Sequence, residues 1–432
     1  MKTKSSHPWN LFVVRIIVVV AVCLAGCAPT ESTAAHWWKG NLHTHSFWSD
    51  GKDYPEMVAH WYKQHGYQFL ALSEHNSLAQ GEKWIELADD KRPQPKECLT
   101  AYLEQFGQTW VEQRTREGKP QVRLKPLCEF RCLFEEPDRF LLIPAEELSQ
   151  EKAHLNAINI RRPIEVQAGE AALEVLQKNA DAVQTQRQET QQPMFSFVNH
   201  PNWNWMVTAE DMMPLQAVEF FEIYNGGGYD SNNYGDDKHA GMEKVWDVVL
   251  TKRLAELNLP IMYAIAVDDT HTYRQWGSRH SNPGRGWVVV HASHLTPESI
   301  VKAMGAGDFY ASTGVVLDDM QFDGRTLEVV IRPQRGVSYI TQFIGTLRGY
   351  DPESRPVPDA NDNPMPVTRI YSDDIGVVLK EVKGPVACYT FTGREIYVRA
   401  KVTSSRLKRN PHVVGEFEVA WTQPVAPGKG TH

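Results

Sequence analysis

The 432-residue chain has no excess of positive charge: 53 acidic against 45 basic side chains leave a formal net charge of −8 with histidine neutral. That balance argues against non-specific nucleic-acid binding through a basic face. It has no glycine-rich phosphate loop, no dinucleotide fingerprint and no Gly-x-Ser-x-Gly turn, so the usual phosphate-cradle, nicotinamide and serine-hydrolase signatures are missing. No segment repeats with a solenoid or propeller period. Cysteine is scarce, six in all. The apolar run over residues 11–24, interrupted by Arg15, is short for a membrane span.

The chain has instead histidines spaced with carboxylates. His43 and His45 stand one residue apart in Asn41-Leu-His-Thr-His-Ser-Phe-Trp-Ser-Asp-Gly51. Alternate residues of an extended strand point the same way, so both imidazoles can face one cation while Asp50 on the following turn supplies an oxygen. More candidates close later apolar runs: Ser73-Glu-His75, Ala145-Glu-Glu147, His154, Asn199-His200-Pro and Asp268-Asp-Thr-His271. One His-x-His means little, but its recurrence with carboxylates reads as a multinuclear metal site.

Short apolar runs alternate with helical stretches from Trp37 onward, the pattern of βα units around a mostly parallel sheet or barrel. In such folds chemistry gathers at the carboxyl ends of the strands, so the candidate ligands are expected on one rim. Pro55 begins a predicted helix, residues 80–139 read as a charged, partly helical insertion, and residues 164–191 read as one long amphipathic helix. After Gly314 helical periods give way to β-branched runs with Pro- and Asp-rich turns, which predicts a small β-sandwich or barrel.

At the N-terminus, Lys2 and Lys4 precede the apolar run, which closes in Leu24-Ala-Gly-Cys27. This resembles a bacterial lipoprotein signal, with a plain secretory signal or a short anchor as rival readings. The expected organisation is a signal over 1–26, a tether over 27–36 beginning at lipidated Cys27, a metallohydrolase domain over 37–316, a β-sandwich-like domain over 317–425 and a tail over 426–432. Export would place the four remaining cysteines in an oxidising compartment. There a disulfide from Cys98 to Cys128 or Cys132 would staple the insertion. A zinc knuckle at Cys128 and Cys132 is the rival, without a second ligand pair at the usual spacing.

Together, His43-x-His45, Asp50-Gly, Glu74-His75-Asn76, Glu147, His154, Asn199-His200-Pro and Asp269-x-His271 resemble the motif set of the polymerase and histidinol phosphatase (PHP) domain, over about residues 40–315. With Gly307-Asp-Phe-Tyr-Ala-Ser-Thr-Gly314 they are most similar to the branch named for the CehA and McbA carbamate hydrolases. The resemblance implies an α/β fold, a distorted (β/α)7 barrel followed by a small all-β domain, and two or three divalent metal ions. Carried over residue by residue, His43, His45, Glu147 and Asp269 would hold a first metal. Glu147 would bridge to a second held by His154 and His200, and Asp50, His75 and His271 would hold a third. Glu74 stands where Asp is usual before the histidine, and Ala145 where this branch shows Gly. Glu147 is preferred to Glu146 because it precedes Leu-Ser, and the Asp-x-His frame prefers Asp269 to Asp268.

Imidazole and carboxylate ligands together suit Zn, Mn or Fe, and paired cations lower the pKa of a shared water and clamp phosphoryl oxygens. The expected activity is hydrolysis of a small extracytoplasmic phosphoester by a metal-activated hydroxide held by Glu147, Asp269 and His200. The alternative is a carbamate, amide or carboxylic ester, with Trp48, Trp203 and Trp205 as candidate aromatic walls. A non-catalytic surface-binding lipoprotein is the third reading, disfavoured because every ligand position holds a competent residue. Asn76, Asn199, Tyr224, Asn225 and Arg285 are candidate substrate contacts, with turn closure as the plainer role for the asparagines. The expected partners are a small-molecule substrate and a bacterial membrane reached through Cys27, at the periplasm or cell surface. No nucleic-acid face is evident, and the sequence names no protein partner.

Overall fold

Thirteen strands among the described residues join one mixed sheet. In chain order they are β1 (His36–Asn41), β2 (Phe69–His75), β3 (Leu141–Gln150), β4 (Ala153–Ile158), β5 (Phe195–Val198), β6 (Phe220–Asn225), β7 (Tyr263–Val267), β8 (Trp287–Ala292), β9 (Phe309–Ser312), β10 (Tyr339–Leu347), β11 (Val377–Lys383), β12 (Glu395–Leu407) and β13 (Phe417–Thr422). The structure, a computed structural model, describes Met1 and residues 35–87 and 94–427. The expected signal over 1–26 and the lipidation site Cys27 lie outside the described residues. No helix among the described residues is long and apolar enough to cross a membrane.

The strands lie in the order β7-β6-β5-β4-β3-β2-β1-β8-β9-β13-β12-β10-β11. β1–β2, β2–β3, β5–β6 and β6–β7 pair in parallel, whereas β3–β4 and β4–β5 are antiparallel. Beyond the ends of β1 and β7 the chain pairs again. Asp269 N donates to His43 O at 3.0 Å and His45 N to Thr270 O at 3.0 Å, so the β7-to-β1 stretch curls until its two ends meet. Apolar residues from both faces fill the spaces on either side, including Phe69, Ile143, Phe197, Phe220 and Ile265 in one cluster and Leu155, Val198, Phe221 and Trp246 in another. Strands buried on both faces read as continuous apolar runs, which is how these segments look in the sequence.

The helix starting at Pro55 runs over Pro55–Gln64 and buries Val58, Ala59 and Tyr62. The long helix is shorter than expected, Ala172–Thr190. Residues 164–170 stay extended because Glu146 accepts the amide of Ile164 (3.0 Å) and Asn179 that of Gln167 (2.9 Å), offering the backbone partners other than a helical turn. The insertion forms helix Gln94–Phe106 and a three-stranded sheet from Lys83–Glu86, Gln113–Arg116 and Lys119–Leu124. Among the described residues no disulfide staples it: Cys98 is buried, Cys128, Cys132 and Cys388 are exposed, and all four are free, and neither Cys128 nor Cys132 joins a cluster of potential ligand atoms. Apolar packing does that work, with Tyr102, Val122, Leu124 and Phe130 set against Tyr54, Val58 and Tyr62.

After Gly314 the chain is β-rich, as its composition predicts. A second sheet of Leu317–Phe322, Thr326–Ile331 and Val386–Thr390 packs Leu327, Val329 and Ile331 against Phe343, Val398 and Val402 of the large sheet. The large sheet is continuous across position 316, since β9 pairs with β13, Tyr310 opposite Thr422. Arg399 of β12 reaches helix Met242–Ala255 and donates twice to Asp247, at 2.8 and 2.7 Å, both side chains buried. From Ala35 onward the chain is one compact unit.

Candidate metal centre

The nine expected ligands come from several strands and the loops that follow them, and meet. His43 and His45 follow β1 on the same side of the chain, while Leu42 enters the core and Thr44 turns toward Ser73 and Tyr62. The parallel register of β2 on β3 sets His75 opposite Glu147, and the β3–β4 hairpin sets Ser149 opposite His154. Alternation along β3 settles the choice of carboxylate: Glu147 faces the cluster, whereas Glu146 faces away to the amide of Ile164. Asp269 likewise faces in, while Asp268 accepts the amides of Gly284, Arg285 and Gly286 at 2.6–2.9 Å.

Four donor atoms form a compact set. His43 Nε2 lies 3.1 Å from His45 Nε2, 3.1 Å from Glu147 Oε2 and 3.3 Å from Asp269 Oδ1; His45 Nε2 lies 3.2 Å from Glu147 Oε2 and 3.3 Å from Asp269 Oδ1. His43 Nε2, His45 Nε2 and Asp269 Oδ1 form a triangle with edges of 3.1–3.3 Å, whose centre lies about 1.9 Å from each corner, close to the bond length of zinc to imidazole nitrogen or carboxylate oxygen. The donor set therefore fits a divalent cation in both chemistry and size.

The other oxygen of Glu147, Oε1, faces His154 Nδ1 at 2.8 Å and His200 Nε2 at 3.4 Å, as a bridging carboxylate requires. Asp50 Oδ1 gathers the third group, 3.3 Å from His271 Nε2 and 3.5 Å from His75 Nε2. His75 also spans the groups, its Nδ1 2.9 Å from Glu147. Clusters of potential ligand atoms form around His43, His45 and Asp269, around His45, Asp50, His75 and His271, and around His75, Glu147 and His154.

Without a cation these groups hold one another's charge. Burial works against ionised Glu147, yet His75 and His43 outweigh it and hold the carboxyl well below the usual range. Asp269 is lowered in the same way against its burial by His43, His45 and His271. Burial also opposes charge on His43, but Asp269, Glu147 and Glu222 raise its pKa well above the ordinary imidazole value. His271 is pushed up to about 9 by Asp50 despite its burial. Cation binding must displace these protons.

A supporting ring fixes the ligands. Glu222, fully buried, accepts from His43 Nδ1 (2.6 Å), His200 N (2.7 Å) and Asn225 Nδ2 (2.7 Å); such carboxylates behind a metal histidine set its tautomer and orientation. Nothing in the sequence reading singled out Glu222, although an acidic residue inside the buried run Phe220–Asn225 was a signal that it must be partnered. Glu74 accepts from Ser46 N, Ser46 Oγ and Ser49 Oγ and so ties the loop bearing Asp50 without facing the cluster. Asn76, His200 and Asp269 leave their strands with left-handed φ of 47°, 22° and 48°, strain that concentrates at functional positions.

The five candidate substrate contacts do not line the cleft beside the cluster. Asn76 ties the end of β2 to β3 through both Ser149 backbone groups. Asn199 donates to Glu147 Oε1 at 2.9 Å and Asn225 to Asp269 Oδ2 at 3.1 Å, so both orient expected ligands. Tyr224 is buried against Lys408 and Glu416, because the β6–β7 register skips Ile223 and this bulge reverses the alternation. Arg285 is buried and donates to the carbonyls of Gly226, Gly277 and His280. The cleft, of about 400 Å³, is lined instead by Asp50, His75, His154, His200, Asp269 and His271 with Trp203, Gly228, Asp230, Ser231, Ser281 and Arg279. Of the proposed aromatic walls only Trp203 is there. Trp48 is buried with its indole on Lys125 O, and Trp205 stacks on His239 at 3.8 Å.

No family model and no curated protein matches the sequence. Among solved structures, a two-domain protein from Bacteroides vulgatus containing a predicted PHP-like metal-dependent phosphoesterase is similar at 14% identity, over 90% of this chain and 96% of that one, with a TM-score of 0.38. A Bifidobacterium adolescentis protein assigned as a metal-dependent phosphoesterase is similar at 12% identity, over 55% of this chain and 88% of that one, with a TM-score of 0.27. Likeness this loose leaves the chemistry to the ligand geometry.

Proposed function

We propose that this chain is a divalent-metal-dependent phosphoesterase of the PHP type, its site on the rim of a distorted seven-stranded barrel and its β-rich C-terminal part an all-β lobe. The observation that carries the reading is the meeting of His43, His45 and Asp269, whose donor atoms lie 3.1–3.3 Å apart with Glu147 Oε2 3.1–3.2 Å from both histidines, opening on a cleft whose one lysine or arginine is Arg279. His154, His200 and the other oxygen of Glu147 would hold a second ion, and Asp50, His75 and His271 a third. Bound cations of the Zn, Mn or Fe kind would supply an activated water and neutralise phosphoryl oxygens. Glu222, Asn199 and Asn225 orient His43, Glu147 and Asp269, and Arg279 binds a phosphate oxygen from the open side.

A neutral aryl ester or carbamate would favour an aromatic enclosure, and two of the three candidate walls lie elsewhere, so the phosphoester reading leads. We further propose that the protein is exported and lipid-anchored through Cys27, acting on a small extracytoplasmic substrate. The test is metal analysis of the mature protein with phosphate monoester, phosphate diester, carboxylic ester and carbamate substrates, run beside His45→Ala, Asp269→Ala and Arg279→Ala. Phosphoester turnover is expected, lost in the first two variants. In Arg279→Ala a roughly tenfold rise in KM is expected, one charge-assisted hydrogen bond. Turnover of the ester or carbamate alone sinks the phosphoesterase reading, and a wild-type protein that takes up no metal sinks the hydrolase.

A further inference from the structure

The C-terminal part sends one segment, residues 408–416 between β12 and β13, to the back of the cleft. Buried Glu416 anchors it: buried Lys408 places Nζ 3.1 Å from Glu416 Oε2, the His412 amide donates to Glu416 Oε2 at 2.8 Å, and the more exposed Tyr234 donates to Glu416 Oε1 at 2.6 Å. From this anchor the segment touches both loops that carry the cleft's open side. His412, 1% exposed, places Nδ1 2.9 Å from Gly227 O; a carbonyl only accepts, so His412 carries its proton on Nδ1. Asn410 donates to Pro283 O at 3.0 Å and accepts from Arg285 Nη2 at 3.4 Å.

The contact at Gly227 continues inward. Gly227 N donates to Asn225 Oδ1 at 2.7 Å, and Asn225 Nδ2 donates to Asp269 Oδ2 at 3.1 Å. The turn has no slack. A side-chain carbon on Gly227 would sit 2.6 Å from Asn225 Oδ1 and 3.0 Å from Asp269 Oδ2. A displaced Gly227 would therefore move the amide that fixes Asp269, and with it Gly228, Asp230 and Ser231 on the cleft wall.

We propose that His412 is a positioning residue for the metal centre: its Nδ1–H pins Gly227, and through Asn225 holds Asp269 in register with His43 and His45. Asn410 braces the second loop, which bears Arg279. The C-terminal lobe thereby completes the site without contributing a ligand. The kinetic arm of the test rests on the phosphoesterase reading, and the other two arms do not.

The variants are His412→Phe, which keeps the ring volume and removes the donor, His412→Asn, whose amide restores a donor near the Nδ1 position, and Asn410→Ala at the less buried brace. Three quantities are read on the full chain: amide hydrogen exchange, Zn²⁺ affinity of the metal-stripped protein, and kcat and KM on a phosphate monoester. His412→Phe is expected to exchange faster over 226–231, to bind Zn²⁺ roughly tenfold more weakly, as losses behind a metal ligand do, and to raise KM more than it lowers kcat. His412→Asn recovers most of each effect, and Asn410→Ala speeds exchange over 277–283 alone. Wild-type exchange over 226–231 and wild-type Zn²⁺ affinity in His412→Phe overturn the proposal, as does an Asn variant no better than the Phe variant. Unchanged exchange over 277–283 in Asn410→Ala overturns the second brace, a result that stands even if His412→Phe does not fold. If the wild type hydrolyses no phosphoester, the functional reading falls while exchange and Zn²⁺ affinity still decide the role of His412.

Discussion

Replacing Glu222 by Gln tests the metal centre without touching a candidate ligand. Glu222 uses one oxygen for His43 Nδ1 (2.6 Å) and the other for His200 N and Asn225 Nδ2 (both 2.7 Å). Gln has a single acceptor oxygen and an NH₂ group. If its oxygen keeps the two donors His200 N and Asn225 Nδ2, its NH₂ faces His43 Nδ1, which must then become an acceptor. The imidazole proton moves to Nε2, the corner where His43 meets His45, Glu147 and Asp269. With the amide reversed, NH₂ faces two donors in a site with no exposure, leaving both unpaired. Either way metal binding must reverse a tautomer or a buried donor clash. Losses behind a metal histidine run to about 10–100-fold in affinity, or about 1.4–2.7 kcal/mol. Calorimetric titration of metal-stripped wild type and Glu222→Gln with Zn²⁺ at fixed pH measures this directly. Equal affinities would refute the idea that Glu222 sets the His43 tautomer, and a variant that binds more tightly would refute the placement of His43 as a ligand.

The metal-stripped protein should lose stability as pH rises: His271, raised to about 9, contributes stability that is complete below its unfolded pKa near 6.5 and lost as pH climbs through about 9. Urea midpoints at pH 6 and pH 9, with and without Zn²⁺, check this, and a metal-free midpoint that rises over this range contradicts it. Arg399→Met leaves buried Asp247 with the Tyr397 hydroxyl but without the two hydrogen bonds and the charge of Arg399 and should cost about 3–5 kcal/mol, read as a lowered urea midpoint; a loss within about 0.5 kcal/mol, the size of a surface substitution, would mean that the pair is not buried as described. Because all four described cysteines are free, a thiol reductant should leave the thermal midpoint unchanged, whereas a fall would reveal a bridge.

Most of the candidate ligands were legible because they are polar residues at or just past the ends of apolar runs, as His75, His200 and Asp269 are, whereas Asp50 in its loop and His154 at the start of a strand were placed by the motif frame. The adjacent pairs Glu146–Glu147 and Asp268–Asp269 resolved as the motif frame predicts, since neighbours on an extended chain face opposite ways. The substrate contacts were not legible. Proximity in sequence to a ligand says nothing about which way a side chain faces once a bulge intervenes, and the bulge at Ile223 turns Tyr224 toward Lys408 and Asn225 toward Asp269. Arg285 looked like a rim cation, but its guanidinium is consumed by backbone carbonyls of the loops it knits. Arg279 sits in an irregular loop with no period to read, and only tertiary structure brings it to the cleft. The disulfide expectation failed because cysteine spacing alone does not require a bridge where Tyr102 and Phe130 already fill the insertion's interior.

The ladder that crosses from β9 to β13 has an evolutionary and practical corollary. Severing the chain near Gly314 would strip Tyr310, Ala311 and Ser312 of their β13 partners and leave a raw strand edge, the kind of surface that recruits other chains and precipitates. A gene fragment ending there should express as aggregate, and recombination should shuffle the two halves only as a pair. Whatever lineage carries the strands that bear the ligands is therefore expected to carry their β-rich companion, intact and in the same reading frame.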